Sequence, residues 1–281
     1  MLAADLEPSS IQSRLHTKWL GQELECFHEV DSTNTQVAMR GRSGAPAGMV
    51  IVADRQTAGR GRLQRAWHSP ERVNLYFSIL LRPPWPPHQP PPVSLAVGVA
   101  LAETMERRIG YAPTLKWPND LLVHDRKLAG VLVEVAATRQ QLEQVILGIG
   151  FNVNQETFPP PLDETAISLR QVIGKQTDRG ELLADLLNTL EPHLEQLDHS
   201  NHHMMIESWN SYFSWKGQKI RIQTAQGEVR GIALGASSHG ALRIREESGQ
   251  EREILSGDTF RIDDSPPQGS SPPEDDKGIQ R

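Results

Sequence analysis

Residues 114–134 read TLKWPNDLLVHDRKLAGVLVE. The apolar, β-branched runs Thr114–Trp117, Leu121–Val123 and Lys127–Val135 are separated by turn residues such as His124–Asp125–Arg126. That spacing, with a further run at Gln144–Gly150, predicts hairpins of one sheet. Lys127 opens a strand that is otherwise apolar. An edge charge that deters aggregation is one reading; a fixed cation facing a pocket is the other. Gly130, inside the strand, hints that something approaches the backbone closely. Asn119 and Asp120 suit a divalent ion or a ribose hydroxyl. Trp117–Pro118 reads as core and turn.

Upstream, residues 1 to about 25 read as a short helical lead-in, and from Val30 to Val153 strands alternate with helices. Ser32 or Thr33 caps a short helix running toward Arg40. Met49–Ala53 and Asn74–Leu81 are strand candidates, and residues 54–67 form a polar, Gly- and Arg-rich loop. RPPWPPHQPPP at 82–92 holds seven prolines and excludes helix or central strand. A stiff surface connection is favoured there over a polyproline recognition segment. An amphipathic helix follows at Val93–Arg108.

Downstream, helices are expected at Arg179–Leu197 and Met204–Tyr212. Short alternating strands follow at Lys219–Gln223, Glu228–Leu234, Ala241–Arg245 and Glu251–Leu255, with glycines at the turns. They suggest a small β-barrel. The Pro/Ser/acidic tail at 264–281 reads as disordered.

The bulk numbers bound the function. Hydrophobic residues are 37% and charged residues 23% of 281, a globular balance. A net charge of −6 argues against a general nucleic-acid binder. The single Cys26 allows no internal disulfide and reads as buried packing. The N-terminus lacks the apolar core of a signal peptide. No apolar run approaches the roughly 18 residues of a membrane span. A cytoplasmic location is the default.

Against that acidic background, Arg55, Arg60, Arg62 and Arg65 fall within eleven residues. In Gln56–Thr57–Ala58–Gly59–Arg60–Gly61–Arg62, glycines permit close backbone approach and arginines offer forked donors for phosphate and carboxylate. Trp67 offers a flat face for a base or a hydrophobic lid. A solvated basic loop is the bland alternative. The stretch is neither a P-loop nor a dinucleotide fingerprint. His199, His202 and His203 are a weaker metal candidate, because no carboxylate or thiolate ligand set surrounds them.

Five motifs occur in order: Asp31–Asn34, Gln56–Arg62 with Trp67, Lys116–Asp120, Asp125–Gly130 and Gly148–Asn152. Together they resemble the biotin–protein ligases, also called biotin–[acetyl-CoA-carboxylase] ligases, over about residues 25–262. The resemblance implies an α+β fold: a mixed sheet with flanking helices, like class II aminoacyl-tRNA synthetases, plus a C-terminal SH3-like barrel. The implied division is a catalytic domain at 1–215, the barrel at 216–263 and the tail at 264–281.

It further implies that biotin and ATP, with Mg²⁺, give biotinyl-5′-AMP. The biotinyl group then passes to a lysine of the biotin carboxyl carrier protein of acetyl-CoA carboxylase. Ser32, Thr33 and Asn34 would line the ureido end. Gln56, Gly59, Arg60, Gly61 and Arg62 would order over biotin and the adenylate. Lys127 would hold the biotin carboxylate and an α-phosphate oxygen, with Gly130 beside it. Lys127, Arg60 and Arg62 would be catalytic. Trp67 would close the adenine pocket. Lys116, Asn119 and Asp120 would serve ATP, with Asp120 as the metal candidate, and Asn152 would sit near the nucleotide.

The family loop often reads GRGRRGR, and Leu63 and Gln64 depart from it. The Ser32–Asn34 motif begins too early for the winged-helix domain of repressor members. A ligase-only class is therefore expected: no DNA partner, no membrane partner, monomer or homodimer. The rivals are a lipoate–protein ligase and a nucleic-acid binding module.

Overall fold

The computed structural model describes residues 3–85, 92–138, 142–197 and 202–262. The larger sheet has seven strands: β1 (Leu24–Val30), β2 (Val50–Gln56), β3 (Leu75–Leu81), β4 (Thr114–Lys116), β5 (Asp120–Val123), β6 (Arg126–Ala137) and β7 (Leu142–Phe151). Their order is β1-β2-β3-β7-β6-β5-β4. Only β1 and β2 run parallel; the remaining pairs are antiparallel. The hairpins read from residues 114–150 lie side by side in this sheet. All seven residues of β3 are buried, which is why its sequence is apolar apart from Ser78.

Among the described residues seven α-helices accompany the sheets: α1 (Pro8–Gln12), α2 (Thr33–Arg42), α3 (Val93–Ile109), α4 (Leu162–Thr165), α5 (Leu169–Ile173), α6 (Arg179–Gln196) and α7 (His203–Tyr212). Helix α3 presents small residues, among them Ala96, Gly98 and Ala100, and is buried against α6 and α7. One continuous apolar core joins these helices to the larger sheet and runs on into the C-terminal strands. Helix α2 makes the crossover between β1 and β2 and covers β3 and β7.

The N-terminal expectation needs correcting. Instead of a helical lead-in to residue 25, the chain makes a short 3₁₀ turn at Ala4–Leu6 and the single-turn α1. The backbone N–H groups of Lys18, Trp19 and Leu20 then donate to the Glu191 carboxylate at 2.8–3.0 Å, not to helix carbonyls. A buried carboxylate on α6 has taken over the job of a helix. Strand β1 was not foreseen, because most of its residues are only half-buried and show no clean alternation. Cys26 sits in it, packed at the core's margin, and burial pushes its thiol up to about 12.

The second sheet has five strands: β8 (Lys219–Thr224), β9 (Gly227–Ala236), β10 (Leu242–Arg245), β11 (Glu251–Ile254) and β12 (Asp258–Arg261). Their order is β11-β10-β9-β8-β12, all antiparallel. Among the described residues no ladder joins the end strands β11 and β12. Strand β12 also escaped the sequence reading; its four residues hold little apolar signal. The buried Trp117 ties the two sheets together. Its Nε1 donates to Gly240 C=O at 2.9 Å, and Thr259 Oγ1 donates to Trp117 C=O at 2.8 Å. Residues 86–91 of the Pro-rich segment, His199 and the tail lie outside the described residues. His203 pairs with Glu207 at 3.1 Å, and no group of three metal-ligating side chains occurs among the described residues.

Arg179 fixes the N-terminal segment behind the sheet. Its guanidinium, 1% exposed, reaches Asp5 Oδ1 and Asp54 Oδ1 at 2.7 Å each and the Asn74 carbonyl at 3.1 Å. Burial alone would raise the Asp5 carboxyl; the bonds and charge of Arg179 outweigh it and hold the carboxyl below its ordinary value. Arg179→Met leaves the fully buried Asp54 without its ion partner. The expected loss is about 3–5 kcal/mol, read by chemical denaturation. In the wild type, the share contributed by Asp5 is fully present above its unfolded pKa of about 3.9. It is lost as pH falls through the lowered folded value, and Asp5→Asn should flatten that acid limb.

Candidate functional site

A cleft of about 720 Å³ opens over β6 and β7. Its walls are the arginine loop after β2, the segment carrying Phe158 and Leu162, and the edge of the second sheet. Of the residues to which the resemblance gives a role, all but Gly59 line it; Arg55, the first of the four clustered arginines, does not, and pairs with Glu29 at 2.9 Å. Gly59 lies behind the loop: its carbonyl accepts from the Trp67 N–H at 2.9 Å. A Cβ there would lie 2.6 Å from Ser69 Oγ.

One end of the cleft is polar and nearly neutral. Ser32 occupies the N-cap position of α2 in extended backbone, and makes no side-chain cap bond. Its hydroxyl is therefore not spent on the helix. Thr33 and Asn34 begin the helix and are each 3% exposed. Gln56 Oε1 accepts from the Thr33 N–H at 2.9 Å, and Ser78 Oγ lies 2.6 Å from Asn34 Oδ1. Opposite Asn34 the strand has Gly148, where a Cβ would come within 2.2 Å of the amide oxygen.

The other end is cationic. Strand register decides that Lys127 faces it. Asp120 pairs with Gly130 and Leu121 with Ala129, but Leu122 pairs with Lys127, so Leu128 is an extra residue in β6. The bulge restores parity: Lys127, three residues before Gly130, shares its face instead of opposing it. Lys127 Nζ reaches Asp120 Oδ1 at 2.7 Å and lies 5.0 Å from the centre of the Trp67 ring. Its carbonyl accepts from Asn152 Nδ2 at 3.1 Å and from the Ile167 N–H at 3.0 Å. Asn152 thus buttresses the lysine strand.

Arg62 Nη1 lies 3.3 Å from both Asn119 Oδ1 and Asp258 Oδ1, and Arg65 pairs with the same Asp258. Lys116 Nζ stands between the rings of Trp215 and Phe260, at 5.6 and 5.4 Å. Burial pulls the Lys116 ammonium below the usual lysine range; Asp120 opposes this and Lys127 adds to it. Burial also lowers Arg62, against the opposing charges of Asp258 and Asp120. Such an array can neutralise two anions brought together, which is what joining a carboxylate to a phosphate demands.

Trp67 lies flat across two glycines. A Cβ on Gly130 would come within 3.0 Å of its ring, and one on Gly150 within 2.3 Å. The close approach anticipated at Gly130 is this indole and the Lys127 side chain. Leu63 and Gln64, which depart from the usual loop pattern, both adopt left-handed backbone, with φ of 54° and 61°. Side chains strain there where glycine would not.

Sequence reasoning missed the contribution of the second sheet. Asp258, Phe260, Arg221 and Arg261 all line the cleft. Arg221 stacks on Phe260 at 4.2 Å, and Arg261 pairs with Asp125 at 2.6 Å. No local motif marks them; the signal is one of charge alone. Phe158 and Leu162, from a stretch without periodicity, supply apolar lining.

Residues 26–152 match the biotin/lipoate A/B protein ligase family, and residues 217–261 match the biotin protein ligase C-terminal domain. The bifunctional ligase/repressor BirA of Bacillus spizizenii is 34% identical over 255 residues, covering 90% of this chain and 78% of that protein. The biotin–[acetyl-CoA-carboxylase] ligase of Mycobacterium tuberculosis is 31% identical, covering 93% and 97%. The biotin protein ligase of Aquifex aeolicus, solved with biotin and ATP, superimposes with a TM-score of 0.76 at 32% identity. That match covers 86% of this chain and all of the other.

Gly150→Ala should dislodge the Trp67 ring. The loop is the softer partner, so the expected stability change is under about 1 kcal/mol, below the usual cost of overpacking. A crystal structure of the variant with the indole still seated on Gly130 and position 150 would contradict this reading.

Proposed function

The chain belongs to the biotin/lipoate A/B protein ligase family, and from that we propose that its cleft makes biotinyl-5′-AMP from biotin and ATP. The biotinyl group then goes to a lysine of the biotin carboxyl carrier protein of acetyl-CoA carboxylase. One observation carries the reading: the polar row Ser32–Asn34, the arginine loop and Lys127 line a single cleft. The polar row suits a neutral ureido ring. A polar end and a cationic end in one cleft suit a ligand neutral at one end and anionic at the other.

In the first step, the biotin carboxylate attacks the α-phosphorus of ATP and pyrophosphate leaves. Both reactants are anions. Lys127, Arg60 and Arg62 offset their repulsion and hold them in line; positioning and electrostatics supply the catalysis. Lys116 and Asn119 take part in holding the polyphosphate, and Trp67 with Asn152 bounds the nucleotide. Asp120, whose Oδ1 pairs with Lys127 Nζ at 2.7 Å, is the residue that would hold Mg²⁺. Among the described residues no group of three metal-ligating side chains surrounds it, so a magnesium ion, which needs few protein ligands, would arrive with the nucleotide and add positive charge there. In the second step, the carrier lysine amine attacks the acyl carbon, forming an amide and releasing AMP. Gln56, Gly59 and Gly61 shape the loop that covers the mixed anhydride and excludes water.

The same reading divides the chain into a catalytic domain at 1–215 and a small domain at 216–263. It acts in the cytoplasm; among the described residues no helix is long and apolar enough to cross a membrane.

The direct test is incubation with biotin, labelled ATP and a biotin carboxyl carrier fragment. Biotin-dependent pyrophosphate release followed by labelled carrier is expected. Lipoate in competition should give less than about a tenth of the biotin rate, the discrimination a site hydrogen-bonded to the ureido group provides. Equal use of lipoate would shift the assignment to the other branch of the family. Lys127→Ala should slow adenylate formation about 10²–10³-fold; normal pyrophosphate release would remove its assigned role. Arg60→Gly should still form biotinyl-AMP but release it to solution, read as free intermediate after rapid filtration. Intermediate held as tightly as by the wild type would contradict the loop's covering role.

A further inference from the structure

Glu134, on β6, is outside the cleft lining, yet two cleft residues end on its carboxylate. Asn34 Nδ2 donates to Glu134 Oε2 at 2.7 Å. Arg60 Nη2 lies 3.4 Å from both Glu134 oxygens, while Arg60 Nη1 donates to Thr35 Oγ1 at 3.0 Å. The arginine at the front of the loop is therefore held by the sheet and by α2.

Behind Asn34 runs a row of polar contacts. The buried Ser78 Oγ is 2.6 Å from Asn34 Oδ1 and 2.7 Å from Thr33 Oγ1. A hydroxyl carries one proton, and an amide oxygen cannot donate. With Asn34 Nδ2 turned to the carboxylate, Ser78 donates to Asn34 Oδ1, so the Thr33 hydroxyl gives its one proton to Ser78 Oγ at 2.7 Å in preference to Gln56 Oε1 at 3.2 Å. The Thr33 N–H donates to Gln56 Oε1 at 2.9 Å, which leaves Gln56 Nε2 to donate to Ser69 Oγ at 3.1 Å. Ser69 in turn donates to the Trp67 carbonyl at 2.9 Å. From Thr33 through Ser78 and Asn34, every donor points the same way and the row ends at Glu134. A carboxylate only accepts, so one direction is permitted; a carboxamide at that end would permit two.

We propose that Glu134 is a positioning residue of the biotin–adenylate site. It sets the orientation of the Asn34 amide, and through Ser78 that of Thr33. It also anchors Arg60, and with it the loop, over the cleft. The proposal rests on the ligase reading above. It gives one side chain two separable duties: presenting a fixed donor and acceptor pattern to the ureido ring, and retaining the intermediate.

Three variants separate these duties. Glu134→Gln is nearly isosteric, keeps an acceptor for Asn34, and gives up the charge that holds Arg60. Glu134→Ala removes both. Ser78→Ala interrupts the row but spares the Glu134–Arg60 pair. The Glu134 side chain is 38% exposed, so melting temperatures of its variants should stay within about 2 °C of wild type.

The assays are biotin-dependent ATP–pyrophosphate exchange and the rate at which loaded protein loses biotinyl-AMP. Glu134→Gln should lose the intermediate about tenfold faster, with biotin KM raised no more than about threefold. Glu134→Ala should lose it as fast or faster and raise biotin KM about tenfold or more. Ser78→Ala should raise biotin KM without hastening loss. The KM for ATP should stay within about twofold in Ser78→Ala, which leaves Arg60 anchored. Wild-type retention and biotin KM in Glu134→Ala would overturn the proposal, as would an ATP KM rising in step with that for biotin in Ser78→Ala. A wild-type chain without biotin-dependent exchange would overturn the ligase reading and this inference with it.

Discussion

Mutual repulsion among cations is the constraint that organises this molecule. A chain of net charge −6 gathers Arg60, Arg62, Arg65, Lys116 and Lys127 around one cleft. Like charges 4 Å apart oppose each other by about 1 kcal/mol in water and about 4 kcal/mol near a protein surface. Each cation is therefore given a counterweight. Lys127 meets Asp120, Arg62 and Arg65 share Asp258, and Arg60 meets Glu134. Lys116 is set between two aromatic faces. The Asp120 and Glu134 carboxylates come from neighbouring strands of the larger sheet, and Asp258 from the second sheet. The contacts that seat the arginine loop on both sheets therefore also balance its charge.

That arrangement places demands on the scaffold. Asp258 reaches the loop only because the second sheet is docked on the first, and the docking runs through Trp117. The tryptophan that reads as core is also the joint that brings a carboxylate to two arginines. On the far side of the sheet, Arg179 gathers Asp5 and Asp54 where β2 leads into the loop. These ion pairs differ in kind. The pair with Asp54 is buried, and breaking it is costly. The pair at Glu134 is more than one-third exposed, worth little to stability, and free to serve the site.

Much of the fold was legible. The runs around Lys127 read as hairpins, α3, α6 and α7 carried helical periodicity, and the glycine-spaced strands after Trp215 read as a small β-barrel, where five antiparallel strands form a sheet with no ladder between its end strands among the described residues. What failed had specific causes. The N-terminal stretch bonds to Glu191, more than 170 residues away, and no local pattern announces that. Strands β1 and β12 are short or half-exposed, so their alternation is weak. Leu63 and Gln64 depart from the family loop pattern, and their left-handed backbone emerges only in the folded loop.

The sequence by itself determined the kinds of groups at the site. Hydroxyl and amide side chains at Ser32–Asn34, arginines between glycines, and a lysine beside Gly130 are properties of the string, and they already limit the chemistry. The tertiary structure decided which of them meet. By alternation alone, Lys127 and Gly130 face opposite ways; the extra residue at Leu128 turns them to one side. Asp258, Glu134 and Ser78 carry no motif, because their value lies in contacts with residues 44 to 196 positions away. A sequence encodes side-chain chemistry locally, whereas register and docking are set by the whole core.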